Sequence, residues 1–92
     1  PQCTQALILL ATYRTLAGDE EAAAEHLTRA RETDPAYLEA ILDLAELQLR
    51  RAEFEAARGL LDRASELAED EDSRARLSIL LSRVEELKEQ GD

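Results

Sequence analysis

Two stretches decide how this chain reads: TQALILLATYRTLAGDEEAAAEHLTRARETD at 4–34 and LEAILDLAELQLRRAEFEAARGLLDRASELA at 38–68. Aligned at an offset of 34 residues, they share Ala6/Ala40, Leu10/Leu44, Ala11/Ala45, Glu21/Glu55, Ala22/Ala56 and Ala23/Ala57. Leu27/Leu61, Arg29/Arg63, Ala30/Ala64 and Glu32/Glu66 bring the identities to ten. So rich an Ala/Leu/Glu composition gives roughly four at a random offset, which makes this an internal repeat. Leu7/Ile41 and Ile8/Leu42 add conservative pairs.

Each repeat reads as two helices. An apolar segment from about Thr4 to Ala17 stops at Gly18, a residue suited to the left-handed conformation that ends helices. Asp19 then caps a second helix, with Glu20 and Glu21 in the first turn, where the macrodipole favours negative charge. That helix runs to about Glu32. Asp34-Pro35 is expected to open the third, Asp34 as cap and Pro35 at the first helical position. The third helix ends near Arg50, and the fourth spans about Glu53 to Ala68. The acidic run Glu69 to Asp72 is a polar break, and a fifth helix is expected from about Ser73 to Gln90. Small residues (Ala11, Ala23 and Ala30, with Ala45, Ala57 and Ala64) recur where antiparallel helices approach closely. Leu7, Leu10 and Leu27, with Ile41, Leu44 and Leu61, supply the bulk beside them, so ridges enter grooves.

This pattern resembles the tetratricopeptide repeat family. The resemblance rests on Leu7, Leu10, Ala11, Gly18-Asp19, Ala23, Leu27, Ala30 and Asp34-Pro35 in the first unit. In the second it rests on Ile41, Leu44, Ala45, Phe54, Ala57, Leu61 and Ala64. It implies an all-α fold of antiparallel helical hairpins, a fragment of an α-solenoid with about five helices. The expectation is one domain over 1–92, with repeat one at about 4–35, repeat two at about 38–68 and a closing helix at about 73–90. The chain departs from the family where Arg14 and Gln48 replace aromatics, where Leu7 and Ile41 stand in place of Trp, and at Glu69, where a second Asp-Pro would fall. Ala52 replaces the turn glycine, and a left-handed Ala costs ~1 kcal/mol.

Composition narrows the function. The chain has 92 residues and a formal net charge of −10. Nucleic acid needs clustered Lys and Arg to displace counterions, and anionic membranes repel such a chain. No apolar run approaches the ~20 residues that span a bilayer. The N-terminal segment has neither the basic lead nor the cleavage pattern of a signal peptide. With the single Cys3 unable to close an internal disulfide, the reading is cytoplasmic. The absence of Met and the excess of Arg over Lys suit a processed or excised domain from a GC-rich source, or an engineered unit.

No catalytic or metal site is expected, and no cofactor or small-molecule substrate. Cys3 and His26, the only cysteine and histidine, would make a nucleophile–base pair if antiparallel packing brought them together, but no third member is placed to orient them. One Cys and one His do not make a zinc site. Glu69 to Asp72 lacks the glycine and alternating oxygen ligands of a calcium loop. It reads instead as a solvated linker capping the fifth helix, with Asp70/Arg74 and Asp72/Arg76 at i,i+4.

The informative residues are the apolar ones left over. With Leu7, Leu10 and Ala11 turned to the hairpin partner, Ile8, Leu9 and Leu16 remain, so the first helix is apolar nearly all round. Leu42 and Leu49 lie on one face of the third helix. By the family resemblance the first helix of each unit lines a concave groove. The expected interface is therefore Ile8, Leu9, Thr12, Leu16, Tyr37, Leu42, Glu46, Leu49 and Arg50, although inter-unit packing is an alternative fate for Leu9 and Leu42. The lysine- and asparagine-lined clamp some relatives use for a carboxylate is replaced here by Ile8, Thr12 and Asp43. The expected function is protein–protein interaction with an apolar or amphipathic segment; the alternative is a self-associating or engineered structural unit. The partner is then another protein or a second copy of the chain.

Overall fold

The computed structural model describes residues 3–90, and among them every element is helical. α1 spans Thr4–Leu16, α2 Glu20–Thr33, α3 Leu38–Arg50, α4 Phe54–Leu67 and α5 Glu71–Gln90. α1 pairs with α2 and α3 with α4 as hairpins; α2 packs on α3, α4 on α5, and α3 also touches α5.

Both hairpin turns are built the same way. After α1, Gly18 sits at φ 83. The Gly18 amide donates to the Thr15 carbonyl, and the Asp19 amide to that of Arg14. After α3, Ala52 sits at φ 60; its amide donates to Leu49, and that of Glu53 to Gln48. This paired bond pattern satisfies the last carbonyls of a helix and demands a left-handed residue. The strained Ala expected at 52 is therefore present. Asp19 also caps α2, accepting from the Ala22 amide at 3.1 Å. Its counterpart Glu53 makes no side-chain cap.

These details yield one expected result. Ala52→Gly relieves the left-handed strain, offset in part by the entropy glycine gains when unfolded, for a net roughly 0.5 kcal/mol. Gly59 lies inside α4, and a Cβ there would meet nothing within 4 Å, so Gly59→Ala adds about 0.5–1 kcal/mol. The double variant should melt roughly 4–8 °C higher by circular dichroism. No gain would mean that neither backbone position carries the cost assigned to it.

The entry to α3 differs from expectation. The residue before a proline is pushed out of the helical region, and Asp34 accordingly stands at φ −144. Pro35 and Ala36 form a turn closed by the Tyr37 amide donating to the Asp34 carbonyl. Asp at the first turn position and Pro at the second suit such a turn as well as they suit a helix start. Tyr37, not Asp34, is the N-cap. α5 also begins earlier than expected, so Glu71 and Asp72 form its first turn.

The core runs through all five helices. Ala23, Ala30, Ala57 and Ala64 are wholly buried, as are Ile41, Leu61 and Val84. α5 contributes Leu77, Leu80 and Val84, with Leu81 and Leu87 half-buried beside them. Two assignments on α1 change. Ile8, expected to be left over, is buried, whereas Leu10, expected to face α2, is 45% exposed.

Candidate functional site

α1, α3 and α5 form one side of the stack, and a cleft of about 150 Å³ opens between the first two. Ala11, Leu27 and Leu47 make its apolar floor, Thr12, Thr15 and Leu16 one wall, and Asp43, Glu46 and Arg50 the other. The Thr12 hydroxyl donates to the Ile8 carbonyl and that of Thr15 to Ala11, at 3.1 and 2.9 Å. With their protons committed to their own helix, both threonines offer the cleft methyl groups and acceptor lone pairs, not donors.

The acidic wall is tied to α5. Arg76 reaches Asp43 at 2.6 Å and Glu46 at 3.1 Å, and Arg83 stands 4.0 Å from Glu46. Arg50 pairs with Glu20 at 3.6 Å. Burial acts to lower the pKa of the Arg76 guanidinium, but Asp43 and then Glu46 outweigh it and hold that pKa above the ordinary value. The intrahelical pairs expected at Asp70/Arg74 and Asp72/Arg76 are thus replaced. Arg76 spans to α3, while Arg74 donates to the Ala68 carbonyl at 3.3 Å. Asp70 instead precedes α5, and hydrogen bonds from the Ser73 hydroxyl and amide hold its carboxyl below the ordinary range.

Arg76 and Asp43 are 37% and 26% exposed, so water and salt screen the pairing. Arg76→Met should cost about 1 kcal/mol in urea denaturation at low salt. Molar salt should shrink the difference between variant and wild type. A difference insensitive to salt would assign Arg76 a packing role instead.

The residues singled out from sequence separate into three groups. Thr12, Leu16, Glu46 and Arg50 line the cleft. Leu9 is 70% exposed on the outer face of α1, away from it, and Tyr37 is half-buried against the core. Ile8, Leu42 and Leu49 are corrected: at 5%, 3% and 2% exposure they belong to the core, and none of them lines the cleft. The residues of α3 that line the cleft are instead Asp43, Glu46, Leu47 and Arg50, spaced i, i+3, i+4, i+7. That spacing is visible in the sequence, but the eye is drawn to the leucines beside it. A further hollow between α3 and α5, about 220 Å³, is lined by Leu38, Glu39, Leu42, Asp72, Ser73 and Arg76.

Cys3 is exposed and His26 half-buried. Among the described residues no group of three or more His, Cys, Asp or Glu is arranged to hold a metal ion, and no helix is long and apolar enough to cross a membrane.

A search of curated proteins finds no match to the chain. The family model for the tetratricopeptide repeat matches residues 15–83, from the end of α1 into α5. Repeats of this family generally mediate protein–protein interaction and are typically not enzymes. A match over most of the sequence, on antiparallel hairpins with buried alanines at their crossings, makes the chain a member of the tetratricopeptide repeat family.

Proposed function

We propose that the chain holds a short amphipathic segment of another protein in the cleft between α1 and α3. One observation carries the reading: an open cleft with an apolar floor between a threonine wall and a wall bearing two carboxylates. The floor accepts an apolar side chain, which gains roughly 1.5–3 kcal/mol on full burial. The carboxylates of Asp43 and Glu46 suit a basic residue beside it, joining or displacing Arg76. A chain of net charge −10 attracts such a segment at long range. Helix-in-groove recognition has this form, with a few anchors and a charged rim.

The test is anisotropy of a labelled amphipathic peptide with lysines flanking its apolar face. Thr12→Arg fills the mouth of the cleft from an exposed position, so the fold should persist by circular dichroism. Affinity should fall at least about tenfold, equivalent to ~1.4 kcal/mol. Equal affinity for variant and wild type would remove the cleft from the binding surface.

A further inference from the structure

The acidic wall of the cleft is neutralised from a neighbouring helix. Arg76 Nη2 donates to Asp43 Oδ1 at 2.6 Å and to Glu46 Oε1 at 3.1 Å, although Arg76 belongs to α5 and both carboxylates to α3. Arg83 stands 4.0 Å from the other oxygen of Glu46. At the far end of the wall Arg50 is paired with Glu20. Three carboxylates thus meet three guanidiniums, so the ion pairs around the cleft cancel on a chain of net charge −10.

A cationic side chain drawn in by the overall charge therefore finds Asp43 and Glu46 already occupied. A second cation set beside Arg76 meets like-charge repulsion at the same oxygens, where part-buried surroundings screen it less than bulk water does. For both carboxylates to serve a partner, the internal guanidinium has to leave.

Arg76 has a place to go. Asp72 lies one turn before it on α5, at i,i+4 with the acid on the N-terminal side, the favourable order for a helical ion pair. Asp72 is exposed, and it lines the hollow between α3 and α5 together with Arg76. Arg76 is no part of the buried core, so its side chain turns from one carboxylate to the other without unpacking α5.

We propose, resting on the cleft reading, that Arg76 is a charge gate. It holds the acidic wall while no partner is bound, and turns to Asp72 when a basic side chain of the partner takes Asp43 and Glu46. Binding is then an exchange of ion pairs, in which the partner's gain is largely offset by the contact Arg76 gives up. Asp72 recovers part of that loss. Exposed pairs of this kind change affinity by severalfold, not by orders of magnitude.

Anisotropy of the lysine-flanked amphipathic peptide tests the gate. Arg76→Met leaves the wall uncontested and should tighten binding about three- to fivefold, whereas Asp72→Asn removes the alternative berth and should weaken it about twofold. Once Arg76 is Met, Asp72→Asn should have no further effect, because the berth has no occupant. Arg74→Met removes the same charge from an exposed position on α5. It should leave affinity nearly unchanged at physiological salt, where the Debye length is about 8 Å.

Thr12→Arg separates the two readings. Equal binding by Thr12→Arg and wild type overturns the cleft, and the gate with it. If Thr12→Arg loses affinity while Arg76→Met binds no better than wild type, the cleft stands and the gate alone is overturned. Equal gains from Arg74→Met and Arg76→Met also overturn the gate, since overall charge then accounts for both. So does an effect of Asp72→Asn that is the same size whether residue 76 is Arg or Met.

Discussion

Leu61→Ala should lower the melting temperature by tens of degrees or leave the chain unfolded at room temperature. Leu61 lies on α4 with no exposed surface and is among the largest fully buried side chains, with Ile41 of α3 and Val84 of α5. Removing a buried leucine's outer atoms loses their transfer free energy and leaves a cavity, together about 2–5 kcal/mol. A chain of this size has a total stability on the order of 5–15 kcal/mol, and each kcal/mol moves the midpoint roughly 4–8 °C. A thermal melt followed by circular dichroism checks it. A shift of only a few degrees would show that the site collapses around the loss, or that α4 is not central to the core.

The second large effect comes from the opposite change, adding volume at a helix crossing. Ala57 of α4 and Ala23 of α2 occupy equivalent places in the two hairpins, and each is wholly buried. Ala57→Leu and Ala23→Leu each force extra methylenes into a close contact, costing about 1–3 kcal/mol through displaced backbones or poor rotamers. Ala64 and Ala30, seven residues further along the same helices, are equally buried. Each hairpin is therefore narrow for two helical turns, which leaves little room to relax. Urea midpoints measured for the two variants should fall by similar amounts. If either variant matches the wild type, that hairpin is more loosely packed than its alanines imply.

These crossings also account for the position of the cleft. Alanines draw α1 onto α2 and α3 onto α4, so the gap left over falls between hairpins, where Thr12 and Thr15 face Asp43 and Glu46. Arg76 and Arg83 then tie the acidic wall to α5. Part of this was legible beforehand. Thr12, Leu16, Glu46 and Arg50 are expected groove residues that do line the cleft. Leu42 and Leu49 were not assignable in the same way, since an apolar residue on a groove face and one buried between units read alike.

Features set by neighbours in the chain were determined by the sequence alone. The repeat of 34 residues is in the sequence itself, and the stop at Gly18 and the cap at Asp19 follow from short-range sterics and hydrogen bonding. Ala52 is left-handed against its local preference, in the same turn that Gly18 makes in the first hairpin. The buried alanines follow as well, because the helical period places them on one side. Asp34-Pro35 marks the limit of local reading, since a turn and a helix start share that dipeptide, and the structure takes the turn. Burial on the faces between units was decided by tertiary structure. Leu10 and Leu44 are the same residue at equivalent positions, yet one is 45% exposed and the other 4%. A helix's own sequence determines which side is apolar; what lies against that side depends on which element packs next to it. For α3 that element is α2.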